Sequence, residues 1–241
     1  MSSRCSRGVL ALTAAFGLSQ VNASCSYSPP PLPSHGQTAE ALGPGHASAG
    51  LEAGRGTLAS WWKASYIGDP EVTHGWVGAS RFRFGVGDNT DVGLTGAIGP
   101  ERVLFGAAEL KWRFAHFAAP EAEGAPGFHA AWLSGLGAGA IELRGESQRR
   151  AFLAPYTGVL ASGGIELVKM YVGLRFAASE VLGNHVTDLT LYPILGFGVQ
   201  LRPSDWLTLY AEGSAAAGIT TQDVDDTGLL IYPCLGLAVS F

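Results

Sequence analysis

The chain has 241 residues, of which 15 are Lys or Arg and 20 are Asp or Glu, giving a net charge of -5. Charged residues make up 15% and hydrophobic residues 47%, which excludes a disordered chain, and an acidic balance with Lys63, Lys111 and Lys169 as the only lysines excludes a general nucleic-acid binder. Past the N-terminus no run of apolar residues reaches the length of about 18 that a helical membrane span needs.

In chain order, Arg4 and Arg7 precede an apolar run over 8–18, and Val21-Asn22-Ala23 offers small residues before Ser24. Basic, apolar and small regions in that order predict a secretory signal peptide over residues 1–23. Residues 24–44 are rich in Pro, Ser and Gly without periodicity, which predicts a flexible linker. Cys5 leaves with the signal, while Cys25 and Cys234 stand at opposite ends of the mature chain, so no disulfide framework is expected. No Cys or His pair has metal-ligand spacing; neither a metal nor a cofactor is expected.

From Gly45 onward the repeat has period two, the mark of strands. Val168, Met170, Val172, Leu174 and Phe176 alternate with Lys169, Tyr171, Gly173 and Arg175. Leu104, Ala108, Leu110, Trp112 and Phe114 oppose Glu109, Lys111 and Arg113; Leu189, Leu191, Leu195, Phe197 and Val199 oppose Asp188, Thr190, Tyr192 and Gln200. Phe82, Phe84 and Val86 flank Arg81 and Arg83 in the same way. Ten strands are predicted at 45–58, 73–86, 90–98, 102–115, 127–141, 151–162, 164–177, 187–202, 205–219 and 227–241.

A soluble sandwich and a membrane barrel both satisfy this alternation. A soluble surface needs about 25–35% charge, far more than is present, so an antiparallel up-and-down transmembrane β-barrel of about ten strands is predicted over 45–241, with eight or twelve as the alternatives. The connections agree. Gly87-Asp88-Asn89, Ser162-Gly163-Gly164 and Pro203-Ser204-Asp205 are short, with a longer segment at 120–126. Longer polar loops at 59–72, 145–150, 179–186 and 221–227 alternate with them, with 99–101 as a short exception. A Pro-x-x-Gly repeat follows Pro155, Pro193 and Pro233 at spacings of two strands. Proline cannot donate to a ladder, so these three are expected near the long-loop rim or at bulges.

The last segment alternates Leu229, Ile231, Leu235, Leu237 and Val239 and ends in Phe241. That terminal aromatic resembles the recognition signal of Gram-negative outer-membrane β-barrels. Arg81-Phe82-Arg83-Phe84-Gly85, the turn to Asp91-Val92-Gly93-Leu94, and Lys111-Trp112-Arg113 resemble a hairpin common in that superfamily. The likeness implies the bacterial outer membrane, insertion by the barrel-assembly machinery through Phe241, and contact with outer-membrane lipid and lipopolysaccharide. It implies no activity and no oligomeric state. The window Asn22-Ala23-Ser24-Cys25 resembles a lipoprotein signal that would lipidate Cys25, with Asn22 departing from the apolar residue of that pattern.

Continued inward, the alternation predicts a lumen charge cluster of Glu52, Arg81, Arg83, Glu109, Lys111, Arg113, Lys169, Arg175 and Glu212. Six are basic and three acidic, and the cations at 81, 83, 111, 113 and 169 fall toward the short-turn ends. The interior is then either a salt-bridged plug or a narrow passage with a basic constriction. Trp61, Trp62, Tyr66, Trp206 and Phe241 suit interfacial girdles. Catalytic patterns are weaker. His46-Ala47-Ser48 matches the His-x-Ser of outer-membrane phospholipases but at the wrong end of the first strand. His74 with Asp69, and His185 with Asp188, would have to meet at the loop rim in the manner of omptin proteases. Asp223, Asp225 and Asp226 read as solvated loop acids, with a divalent cation bridging lipopolysaccharide as the alternative. The expectation is a small non-enzymatic outer-membrane barrel with a structural or interaction role, or a narrow solute passage. A rim-site hydrolase and a soluble secreted β-sandwich are the alternatives.

Overall fold

The structure, a computed structural model, describes residues 34–61, 71–99, 103–118, 127–142, 149–182, 189–220 and 227–241. Ten strands form: β1 (Ala47–Trp61), β2 (Glu71–Gly87), β3 (Thr90–Ile98), β4 (Leu104–Ala118), β5 (Gly127–Glu142), β6 (Arg149–Gly164), β7 (Val168–Val181), β8 (Leu189–Ser204), β9 (Leu207–Thr220) and β10 (Thr227–Ser240). Each pairs antiparallel with its chain neighbours, and β1 also pairs with β10, from Ser48↔Ser240 to Trp61↔Thr227, to close the cylinder. The eight- and twelve-strand alternatives fall.

The strand ends bordering 88–89, 119–126, 165–167 and 205–206 lie at one rim, the turn end, with the start of β1 and the end of β10. The strand ends bordering 62–70, 99–103, 143–148, 182–188 and 221–226 lie at the other, the loop end. Most strand bounds differ from expectation by one to three residues, and one turn differs more. The Ser162-Gly163-Gly164 turn belongs to β6, where Ser162 pairs with His129 and Gly164 with Gly127. Three further residues, 165–167, make the connection, so β7 begins and ends four residues later than expected.

Polarity is inverted across the wall. Phe176 is 55% exposed, Trp112 51% and Leu191 42%, all on the outside, whereas Lys111 is 1% and Arg175 2% exposed on the inside. Water charges about 25 cal/mol for each Å² of apolar surface left in it, so a continuous outer coat of such side chains requires hydrocarbon around it. A secreted sandwich would have put these same residues in a dry centre, and that alternative falls too.

Packing inside the cylinder explains much of the glycine content. Tyr156, Tyr171 and Tyr210 lie flat over Gly135, Gly198 and Gly236, their direct cross-strand partners, where a Cβ would run into each ring. This is the aromatic rescue of glycine that lets a sheet curve tightly. The three repeat prolines sit neither at the rim nor at bulges. They face outward within the strands, and each leaves a gap in one ladder without shifting register. Pairing skips from Leu153↔Glu180 to Tyr156↔Ala177, from Leu191↔Ile219 to Ile194↔Ala216, and from Gly54↔Cys234 to Thr57↔Ile231. The missing N–H costs a local bond on one side, while Pro155, Pro193 and Pro233 keep register with Leu136, Phe176 and Gly213 on the other.

The interior has two layers. In the loop half, Phe105, Ile141, Phe152, Val181, Tyr192 and Ile194 pack into an apolar cluster, with the Phe105 and Phe152 rings stacked 6.2 Å apart. In the turn half most inward side chains are polar and charged, with Ala131, Leu133, Leu160 and Tyr171 forming a smaller apolar cluster around Ala39. Of the segment expected as a flexible linker, the described part, 34–44, enters this polar half instead of hanging free: Ser34, His35 and Ala39 are 0% exposed. The composition of 24–44 forecast chain freedom because it lacks periodicity. Its small and polar residues here find a polar cavity to fill.

Candidate functional site

The inner segment, residues 34–45, descends from mid-cylinder to the turn end and then turns into β1. Gly43 and Gly45 make that turn with φ of 84° and 79°, and Gly45 N–H donates to Gly85 O at 3.0 Å. A Cβ at Gly85 would strike the Gly43 carbonyl, so β2 carries glycine where the segment crosses it.

Each turn of this segment meets a charged group of the wall. Ser34 donates its hydroxyl to Glu52, and Arg81 donates to both Ser34 O at 3.0 Å and Ser34 Oγ at 2.7 Å. Glu212 accepts from the backbone of His35 at 2.7 Å and Gly36 at 2.8 Å, and from the hydroxyls of Tyr171 at 2.9 Å and Ser214 at 2.7 Å. Gln37 donates to Glu109, Ala39 N–H to Ser162 Oγ at 3.1 Å, and Leu42 N–H to Asp91 at 2.9 Å. Lys111 donates to the carbonyls of Thr38 and Glu40, and the Glu40 carboxylate pairs with Lys169 and lies 3.1 Å from His129.

The wall charges also pair with one another. Arg81 lies 3.4 Å from Glu52, which accepts from Tyr210 and Tyr232 as well. Arg83 and Lys111 share Asp91, the latter at 2.9 Å. Arg175 approaches Glu109 at 3.8 Å and lies over the Tyr156 ring, whose hydroxyl donates to Glu109 at 3.1 Å. Among the described residues the network therefore holds the cations Arg81, Arg83, Lys111, Lys169 and Arg175 and the anions Glu40, Glu52, Asp91, Glu109 and Glu212. Positive and negative charges are equal in number.

A sealed ring, apolar without and ionic within, has the architecture of a barrel that crosses a membrane with strands. The chain has the fold of a bacterial outer-membrane β-barrel. No family model matches it, and no curated protein does. Among solved structures it is similar to the outer-membrane protease OmpT from Escherichia coli, at 9% identity and TM-score 0.44 over 85% of this chain and 100% of that one. It is also similar to the COG4313 outer-membrane channel from Pseudomonas putida F1, at 12% identity and TM-score 0.44 over 84% and 97%. The N-terminal β-barrel domain of Pseudomonas aeruginosa OprF is a third, at 11% identity and TM-score 0.36 over 80% and 97%.

Of the nine expected lumen charges, Glu52, Arg81, Arg83, Glu109, Lys111, Lys169, Arg175 and Glu212 lie in the network. Arg113 does not. It sits at the turn rim, donating to Asn89 Oδ1 at 2.6 Å and Asp88 O at 3.0 Å, because β3 begins opposite Trp112, so Arg113 stands level with the short turn at 88–89. With Asp91 and Glu40 added and Arg113 removed, the expected excess of three cations disappears. Asp91 was within reach of the sequence, since it shares parity with inward Gly93 in β3. Glu40, His35 and Gln37 carried no periodic signal.

A cavity of ≈ 470 Å³ remains at the turn end between the inner segment and the wall, lined among others by Gln37, Arg81, Arg83, Arg202, Trp206 and Tyr210. His46 and Ser48 line it too, at the turn end, with Ser48 pointing inward. Phe241 is 68% exposed and exchanges backbone bonds of 2.8 and 2.9 Å with Ala47 at the seam. Trp206 is 58% exposed at the same rim. The signal peptide, Cys25, Trp62, Tyr66, Asp69, His185, Asp188, Asp223, Asp225 and Asp226 lie outside the described residues, as do the side chains of Trp61 and His74. Among the described residues no group of three or more His, Cys, Asp and Glu could hold a metal ion.

Proposed function

We propose that the protein is a closed, non-enzymatic outer-membrane barrel whose turn half is plugged by its own N-terminal segment, and whose role is structural or adhesive through the loop rim. One observation carries this reading: residues 34–42 occupy the lumen and satisfy the wall charges, with Glu40 supplying the fifth anion against five cations. Burying unpaired ions costs several kcal/mol each, so a segment that completes the pairing is held strongly in place. Charge balance also removes the basic constriction on which an anion-selective passage would depend. The packed apolar layer above adds a second barrier to ions.

The start of β1 and the end of β10 lie at the turn end, the side that faces the periplasm in outer-membrane barrels. The loop end then faces outward, and whatever the protein recognises meets it there. Planar-bilayer recording on the full-length purified protein tests the reading. Silent traces are expected, and stepwise conductance from the intact chain would replace the plug with a passage.

A further inference from the structure

The outer wall carries a charge that the interior network does not explain. Among the described residues, the ionic side chains that face outward are Arg55, Arg149 and Glu180. Arg149 opens β6 and Glu180 is next to last in β7, so both stand at the loop rim. Arg55 is exposed well inside β1, six residues before Trp61 and eight after Ala47. It has no ion-pair partner among the described residues. A cation on the lipid face is disfavoured most at the bilayer midplane and least near the interface, so its depth and its neighbours decide what it does.

Depth follows from the register. Gly54 pairs with Cys234 and Thr57 with Ile231, which puts Arg55 level with Pro233 across the seam. The outward residues of β10 above that level are Ile231 and Leu229, two steps of the strand repeat. At about 3.3 Å per residue and a tilt of about 40°, Arg55 starts about 10 Å below the loop-end edge of the apolar band. A long side chain can snorkel across most of that distance. Trp76, the direct partner of Arg55 on β2, is 75% exposed. An exposed indole is the side chain expected at the lipid–water interface. The backbone between Arg55 and Pro233 is also unpaired, a gap that tolerates a polar group better than the continuous ladder elsewhere.

We propose that Arg55, with Trp76 beside it, forms a site on the outer wall for the phosphate of an anionic lipid in the leaflet at the loop end. The guanidinium offers paired donors that match phosphate oxygens, and the indole fixes the height at which they are presented. A zwitterionic headgroup such as phosphatidylcholine carries its own cation beside its phosphate, so it compensates the guanidinium less than an anionic one. The site rests on the reading of this wall as lipid-facing with the loop end outward.

The test is full-length protein folded into vesicles of phosphatidylcholine alone, or of phosphatidylcholine with phosphatidylglycerol, comparing wild type with Arg55→Leu, Arg55→Lys and Trp76→Ala. Unfolding midpoints and the lipid retained after mild detergent extraction are read for each. In phosphatidylcholine alone, Arg55→Leu is expected to unfold at a higher temperature than wild type, because it removes a lipid-facing charge. With phosphatidylglycerol present, wild type is expected to gain stability and Arg55→Leu is not. Retention of phosphatidylglycerol is expected to fall about tenfold in Arg55→Leu, the loss of one charge-assisted bond, and less in Arg55→Lys. Equal retention by wild type and Arg55→Leu would overturn the site, and so would equal gains in stability. A variant that no longer migrates as a folded barrel on an unheated detergent gel would implicate the wall instead, and Arg55→Lys then decides the site alone.

Discussion

Glu212 shows how one side chain of the wall secures the inner segment. Its two oxygens accept from two backbone N–H groups of that segment and from two hydroxyls of the wall. Glu212→Ala removes the acceptor and leaves those donors buried, a cost of about 1–3 kcal/mol for each one that water cannot reach. The inner segment should loosen while the ring stays closed. A spin label at Ala41 would report this as faster motion, with heat-modifiable migration unchanged. The inward position of Glu212 was legible in the alternation of β9. Its partners were not, since nothing in Ser34-His35-Gly36 distinguishes a docked segment from a tether.

Strand placement was the most legible feature of the sequence, because lipid outside and polar groups inside impose period two on every strand. The exceptions have local causes. Ser162-Gly163-Gly164 has turn composition, yet its backbone pairs with β5 and the turn falls at 165–167. Arg113 stands at the rim because the short turn at 88–89 ends opposite it, and how far each turn reaches leaves no mark in a hydrophobic pattern. The prolines sit inside strands because only one ladder needs their missing donor. Pro193→Ala should restore pairing across the gap between Leu191↔Ile219 and Ile194↔Ala216, raising stability by about 1 kcal/mol. The midpoint of the shift between compact and unfolded gel bands measures it, and an unchanged or lower midpoint would show that the gap is already satisfied.

At the scale of the whole molecule, seating of the inner segment depends on pH. Burial holds the His35 ring below its ordinary 6.5, against the pull of Glu212 and with Arg175 and Glu109 nearby. Burial pushes the Glu40 carboxyl up, but Lys169 outweighs it and, with His129 and Arg202, holds the group below its ordinary 4.5. Both shifts act in one direction. A released segment takes up protons that the seated one refuses, so seating is strongest above 6.5 and weakens as pH falls, through His35 first and Glu40 next. The spin label at Ala41 should be immobilised at neutral pH and freed on acidification. Equal spectra at both would place the protons elsewhere.

The equality of charge inside the cylinder also bears on how the protein is produced. A recombinant form that begins at Gly45, or carries an affinity tag in place of the preceding residues, keeps every strand but loses Glu40 and every donor that Ser34 to Leu42 contribute. Such a product would hold an excess of positive charge in an emptied vestibule, with Lys169 without its partner and Arg202 beside it. Any ion current or anion affinity measured on it would belong to the truncation rather than to the native molecule.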